Sequence, residues 1–512
     1  MDQTVTQKAQ PTSEYHYLWH LMALGVIVPD GTGDGIETTL WDKLSDEGDV
    51  QPARVAMIDV GCHFDHPNLQ GRVDPERSID FTTSPYGTRS KKHAGNTCQH
   101  NFAGLDTSLL KLQDLSQVEA EIFTDIVQQL EGSSGHVRAF GDVEAPFASH
   151  GTAVSGLIVG GPENCPQGIK PTEGVIPYFG VDPFSRLISI RTGFDNDPLQ
   201  FVAALLYAWH QNPDVIVMPR GFPDPDQAPA FKEDFKADLE KWENRDAADL
   251  IERLQTLEAG ADTIDTKRPQ LPISGRRLWR VVTSLFKAIS NHVPIVCAAG
   301  NEGESQLLFP ANLADRENGI IAVGAVSGQG YRSGYSNYGE GLTVVAPSDD
   351  MVVFNRHQLR STEKSSEELG YLLPKGAKEY PFSPRWLLST DIPGRFGYDT
   401  GDAETEELGT GSAQSGYYTQ FGGTSGACAL VGGVIALIRR AERIANKSSK
   451  VRDGRDVKAL LIKTARKDIL IDNQHKQLNT DAMNADQEDV APFSTFFGGG
   501  LVDAKAAIGT IL

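Results

Sequence analysis

Short runs rich in Val, Ile and Ala recur along the chain, closed off by glycine or polar turns, and between them apolar residues repeat at helical spacing. Runs at 54–58, 187–191, 214–218, 294–299, 319–326 and 342–346 read as strands buried on both faces, not as half-exposed hairpins. Helices are predicted over 198–210, where Phe201, Leu205 and Trp209 share a stripe, and over 279–290, where Val282, Leu285, Phe286 and Ile289 do. A segment at 430–438 is apolar on nearly every side, so a helix there must run through the core. Strand, helix and strand in alternation predict an α/β fold: a mostly parallel central sheet with helices on both faces.

Three stretches interrupt this rhythm. Residues 86–145 are polar, hold His93, Cys98 and His100, and contain a helical pattern at 115–130. Residues 223–277 are charged, with Ala248, Ile251, Leu254 and Leu257 at helical spacing before a capping Gly260. Residues 349–420 are rich in Gly, Ser and Glu and carry little periodicity. Loops of such length in a compact domain serve function or recognition, or stay disordered. No internal repeat or low-complexity tract is present.

Composition removes several function classes. With 47 basic and 68 acidic side chains in 512 residues, the formal charge is 47 − 68 = −21, a mean field that repels nucleic acid and anionic membranes. No uninterrupted apolar run approaches the roughly 18 residues a membrane span needs. The start, Met1 to Val5, has neither the positive charge nor the apolar stretch of a secretory signal, so a cytoplasmic location is expected. Cys62, Cys98, Cys165, Cys297 and Cys428 are odd in number and scattered, as free thiols in a reducing compartment would be.

The chemistry concentrates at strand ends and helix starts. The first strand runs into Asp59-Val60-Gly61, placing a carboxylate where open α/β sheets keep their sites, either to read a ligand or to orient another group. Cys62, His63, Asp65 and His66 follow; they suit a metal site or, with Pro67, Asn68 and Leu69, a turn packed beneath the strand end. His150 lies in the small-residue segment Ser149 to Gly156, where its ring either packs at a helix start or faces a cleft. Ser425 lies in Gly422-Gly423-Thr424-Ser425-Gly426-Ala427, ahead of the apolar helix, either as a helix cap or where orphan amides favour a developing negative charge. Asn301 ends Ala298-Ala299-Gly300-Asn301, either in an ordinary Asn-Glu-Gly turn or as a neutral donor to an oxyanion.

In this order and with these flanks, Asp59, His150, Asn301 and Ser425 resemble the subtilisin-like serine proteases, the subtilase family of peptidase S8 type. Further blocks carry the likeness: His66-Pro67-Asn68-Leu69, the strand Ile321 to Val326, Ser333 to Asn337, Trp19-His20-Leu21 and the segment from Phe497 to Ala504. The resemblance implies a three-layer subtilisin-like fold, with a tail at 1–14 and one catalytic domain at 15–510 that carries the three insertions. It implies that Asp59 orients His150, that His150 is general base and then general acid, that Ser425 is the nucleophile, and that Asn301 binds the oxyanion. Arg220, Gly221, Ala298, Ala299 and Gly300 then become candidates for substrate binding.

Two departures stand out. The family's Ala-Pro pair after the nucleophile is replaced by Ala427-Cys428-Ala429, and the pocket-wall segment reads Met218-Pro219-Arg220-Gly221, where Pro219 removes an amide and Arg220 adds a cation. The expected function is therefore a regulated intracellular serine endopeptidase acting on proteins or peptides, with no nucleic-acid or membrane partner. The alternative is a catalytically impaired subtilase that binds peptides or regulates. A non-protease α/β binding protein would lean on Gly31-Thr32-Gly33-Asp34-Gly35, which lacks the full dinucleotide spacing. Only 14 residues precede Tyr15, so restraint is expected from an insertion or a regulatory protein partner and not from a long propeptide. The implied chemistry needs no metal or other cofactor. Calcium stabilises many members of the family, but its ligands are not assignable here, and the acidic stretch 399–407 only hints at a site.

Overall fold

The computed structural model describes residues 18–29, 36–45, 51–90, 100–138, 148–165, 170, 172, 174–194, 197–222, 275–328, 330, 332–349, 386–393, 396–398, 416–445, 452–467 and 493–512. The 1–14 tail, His93, Cys98, the glycine run 31–35, the segment 399–407 and most of the stretches 223–277 and 349–420 lie outside these described residues.

A short helix, α1 (Trp19–Ala23), and an antiparallel pair, β1 (Ile27–Pro29) and β2 (Ile36–Thr39), precede α2 (Leu40–Ser45). The main sheet is built from β3 (Arg54–Asp59), β4 (Ile79–Asp80), β5 (Thr88–Ser90), β6 (His136–Arg138), β7 (Arg186–Arg191), β8 (Val215–Met218), β9 (Ile295–Ala298), β10 (Ile320–Val326) and β11 (Leu342–Pro347). Its spatial order is β11-β10-β9-β8-β3-β7-β4-β5-β6, with every neighbouring pair parallel except β4 with β5. A separate antiparallel pair joins β12 (Leu387–Thr390) to β13 (Tyr418–Phe421). The remaining helices are α3 (Gln117–Glu131), α4 (Ala148–Val159), α5 (Pro198–His210), α6 (Gly275–Ser290), α7 (Gly423–Ala445), α8 (Gly454–Thr464), α9 (Phe493–Phe497) and α10 (Ala504–Gly509).

The alternation of side chains along the strands explains the layering. Val55 and Met57 of β3, Val217 of β8 and Val296 of β9 face one core with α4 and α7, whereas Ala56, Ile58, Ile216 and Cys297 face a second core with α3, α5 and α6. Both faces are thus covered, as a parallel sheet requires. β3 sits between β7 and β8, so the chain leaves it in both directions and opens a crevice beyond the strands' carboxyl ends.

All six anticipated strands are present, with ends shifted by a residue or so. The helix expected over 115–130 is Gln117–Glu131, because Ser116 caps it: Ser116 accepts from the Glu119 amide while Glu119 Oε2 takes the Ser116 amide at 2.7 Å. The segment 430–438 is the middle of a 23-residue helix whose first turn contains Ser425. That helix, α7, is long and apolar enough to cross a membrane, but here its most apolar 18 residues are all buried inside the protein. β12 lies inside the stretch 349–420, where the pattern showed no element; four fully buried residues leave no alternation to read.

Candidate active site

Asp59 is the last residue of β3 and is completely buried. Its Oδ1 accepts the Val60 amide at 2.8 Å, and its Oδ2 lies 2.7 Å from Nδ1 of His150. An ionised carboxylate only accepts, so His150 donates from Nδ1 and keeps Nε2 as its second, acceptor nitrogen when neutral. The His150 side chain retains 20% of its exposure, so one edge of the ring faces the cleft. Gly151 lets α4 come this close: a Cβ there would run into the carbonyl oxygen of Gly61. His63 amide donation to Thr152 Oγ1 at 2.9 Å ties the same loop to the same helix. Phe421, at the end of β13, packs edge-on to His150 with ring centroids 5.4 Å apart.

Ser425 enters from the opposite direction. Ahead of it, Gly423 adopts φ +71°, a left-handed conformation that bends the chain from β13 into α7. The Gly423 amide donates to Asp349 Oδ1 at 3.2 Å, and Ser348 Oγ donates to the Gly423 carbonyl at 2.8 Å. Thr424 grips Asn301, its amide and hydroxyl donating to Asn301 Oδ1 at 2.8 and 2.9 Å. Because a backbone N–H can only donate, this contact fixes which end of the Asn301 carboxamide is oxygen and turns the NH₂ the other way. Asn337 braces the Asn301 loop, accepting the amides of Glu302 and Glu304 at 3.0 and 3.1 Å. The Ser425 hydroxyl donates to the Pro219 carbonyl at 2.6 Å, so its single proton points at the end of β8 and not at His150.

The structure therefore brings Asp59, His150, Ser425 and Asn301 to the carboxyl edge of one sheet. Arg220 follows Pro219 there, with Nη2 donating to the Gly193 carbonyl at 2.7 Å. Gly221 packs under Leu308 and leads into Phe222, which pairs with Phe309. Ala298, Ala299 and Gly300 are buried, and the Ala299 and Gly300 main chains bond inward to Val323, Leu308, Thr424 and Asn337.

The group after Asp59 takes the turn form. His66 accepts the Asn68 amide on Nδ1 at 3.1 Å, so Nε2 carries the proton it donates to the Tyr417 carbonyl at 2.8 Å. Burial holds this imidazole at a pKa of about 3, against the Tyr417 bond, which acts to raise it. A ring engaged on both nitrogens is a poor ligand, and among the described residues no group of three or more His, Cys, Asp and Glu could hold a metal ion. Cys428 is fully buried one turn into α7, its thiol against the Val296 carbonyl at 3.5 Å. Burial, with Cys297 and Asp59 nearby, pushes that thiol well above its ordinary pKa, so it is a neutral packing group.

Sequence reasoning missed Thr424, the Pro219 carbonyl, Asp349 and Phe421. The Gly-Gly-Thr-Ser run held the signal for Thr424, since a hydroxyl beside a helix start commonly makes local polar bonds. The others act through tertiary contacts that no local pattern encodes.

A sequence profile of the Peptidase S8 family, described as the subtilase family, matches residues 52–488. The chain belongs to the subtilase family. An intracellular serine protease of Paenibacillus polymyxa is 21% identical over 321 residues, covering 61% of this chain and 60% of that protein. Subtilisin BL of Lederbergia lenta is 42% identical over 60 residues, 12% of this chain and 21% of that protein. This subtilase thus spans less than two thirds of the length of either relative. Among solved structures, the serine protease of Aeromonas sobria aligns over 99% of this chain and 69% of its own, at 16% identity and a TM-score of 0.46.

Proposed function

We propose that this subtilase is a serine endopeptidase hydrolysing protein or peptide substrates. The observation that carries the reading is the 2.7 Å bond between buried Asp59 and His150. A buried carboxylate there fixes the tautomer and supports the imidazolium that forms when the ring accepts a proton. In the proposed reaction the Ser425 hydroxyl swings from Pro219 to His150 Nε2, loses its proton there, and attacks the scissile carbonyl. The tetrahedral oxyanion is then held by the Asn301 NH₂ and the Ser425 amide. Two features support that pairing. Thr424 turns the amide of Asn301 the right way, and the amides of Gly423 and Thr424 are already taken, which makes Ser425 the next orphan donor of α7. His150 returns its proton to the departing amine, and water repeats the sequence to free the acid.

The test is labelling with a serine-directed fluorophosphonate together with cleavage of casein. Wild-type protein should label and cut, and Ser425→Ala should do neither. Labelling that survives Ser425→Ala would sink the nucleophile assignment, and peptide binding without cutting would favour the impaired-subtilase alternative. We also place the protein inside the cell, in keeping with the name of its Paenibacillus relative; recovery of labelled protein outside the cytosolic fraction would count against this. The stretch 223–277 is read as a docking face for a regulator, a role to be abandoned if trimming it changes neither activity nor partner binding.

A further inference from the structure

β8 and β9 run side by side until Met218 pairs with Cys297, and there the ladder stops. The same register carried three residues on would set Gly221 opposite Gly300. A third segment meets both instead. Leu308 donates its amide to the Ala299 carbonyl at 2.9 Å, while Phe309 and Phe222 exchange amide bonds at 2.9 and 3.0 Å. The Leu308 side chain bears on both glycines. A Cβ on Gly221 would lie 2.8 Å from Leu308 Cβ, and one on Gly300 would lie 2.8 Å from Leu308 Cγ, beside Asn337 and Glu302. Carbon atoms do not approach so closely, so it takes two glycines to admit this leucine. Its neighbours Leu307 and Phe309 are buried, whereas Leu308 is only half-buried and keeps part of its surface open.

The two segments that Leu308 joins also hold the reacting groups. Pro219, two residues before Gly221, receives the Ser425 hydroxyl at 2.6 Å, and Asn301, directly after Gly300, is gripped by Thr424. In the proposed reaction the scissile carbonyl sits between Ser425 and Asn301. The side chain of the residue bearing that carbonyl therefore enters between segments 219–221 and 299–301. We infer that Leu308 closes this slot and is a specificity-determining residue, so that the protease cuts after small residues, Gly, Ala or Ser. The inference rests on the endopeptidase reading above and deepens it. Leu308 cannot swing aside, because its contact at Gly221 is made by Cβ, which no rotamer moves. Its backbone is fixed as well, tied to Ala299 directly and to Phe222 through Phe309. A bulkier substrate side chain must displace this segment or stay outside the slot, which draws its carbonyl away from Ser425.

The experiment takes one peptide with a cleavage site mapped from the casein digest and varies the residue before the cut through Gly, Ala, Ser, Leu and Phe. Wild-type kcat/KM for the best of Gly, Ala and Ser should exceed that for Leu and Phe by about 100-fold, since a single surplus methylene in a shaped pocket already costs about tenfold. Leu308→Ala should raise the Leu/Ala and Phe/Ala ratios by about tenfold or more. Leu308→Phe should act in the opposite sense and narrow the preference towards Gly. Each ratio is taken within one variant, so a general loss of activity cancels. A wild-type enzyme that cuts after Leu or Phe as readily as after Ala overturns the inference, even if no variant folds. So does a preference for small residues that Leu308→Ala leaves unchanged, which would make Leu308 a tie between loops. Failure of the endopeptidase reading looks different: no peptide is cut and Ser425 is not labelled.

Discussion

The proposed acid–base half of the site and the proposed nucleophile half are built to different standards of fixity. Asp59 and His150 are already joined at 2.7 Å, the carboxylate fully buried and its second oxygen occupied by the Val60 amide. Ser425 stands on an equally rigid turn, but its hydroxyl is parked on the Pro219 carbonyl at 2.6 Å. The contrast teaches where preorganisation matters. Charge stabilisation works only if its dipoles need no rearrangement at the moment of reaction, whereas a hydroxyl can rotate about one bond at small cost.

From that division, the largest losses are expected on disturbing the fixed half. Asp59→Asn should lower kcat by about 10⁴-fold, because an amide can hold His150 in the wrong tautomer while leaving the fold intact. Steady-state kinetics beside a circular dichroism spectrum checks this, and a drop of less than tenfold would break the comparison. Asn301→Ala removes one donor from the fixed part of the nucleophile half and should cost about 10²–10³ in kcat, with KM little changed. An equal rise in KM would mean that Asn301 binds the ground state instead.

The two halves are also bridged. His66, in the turn after Asp59, donates to the carbonyl of Tyr417, next to the strand that leads to Ser425. Its native pKa of about 3 lies below the ordinary 6.5, chiefly because it is buried, with His63 nearby acting in the same direction. Between those two values the unfolded chain binds a proton that the native state refuses, so stability is complete above pH 6.5 and falls as pH falls through the window. The slope is about 1.4 kcal/mol per pH unit, or about 2 kcal/mol between pH 6.5 and 5. Urea unfolding of wild type and His66→Asn at both pH values isolates the contribution, because the buried His20 titrates alike in both proteins. Equal pH slopes in the two proteins would remove His66 from the account.

The uneven legibility of the sequence has the same physical origin. Asp59, His150, Asn301 and Ser425 each stand beside a strand end or helix start that local pattern reveals, so their meeting at one edge was readable from the parallel sheet. The two-core layering was readable too, because Val55 and Ala56 must point to opposite faces of β3. The resting position of the Ser425 hydroxyl was not, since Pro219 lies 206 residues away and its carbonyl looks like any other in the sequence. Asp349 stayed hidden for a similar reason. It opens an aperiodic stretch, and only the folded turn shows it receiving the Gly423 amide and the Tyr335 hydroxyl.

The smallest effect gives the sharpest test of the comparison, because it separates holding a donor from being one. Thr424 touches no reacting atom in the proposed mechanism, yet its hydroxyl donates to Asn301 Oδ1 at 2.9 Å and accepts from the Gly300 amide at 3.2 Å. Thr424→Val keeps the shape and the backbone bond to Asn301 but deletes the hydroxyl and leaves a buried amide unpaired. One hydrogen bond is worth about 1 kcal/mol net, so kcat should fall by roughly tenfold or less. Thr424→Ser, which retains the hydroxyl, should recover most of the loss. In the double variant Thr424→Val, Asn301→Ala, the Thr424 change should add almost nothing, since the group it orients is gone. Full additivity would show that Thr424 acts through the α7 turn alone, and that the oxyanion donor is no better fixed than the hydroxyl beside it.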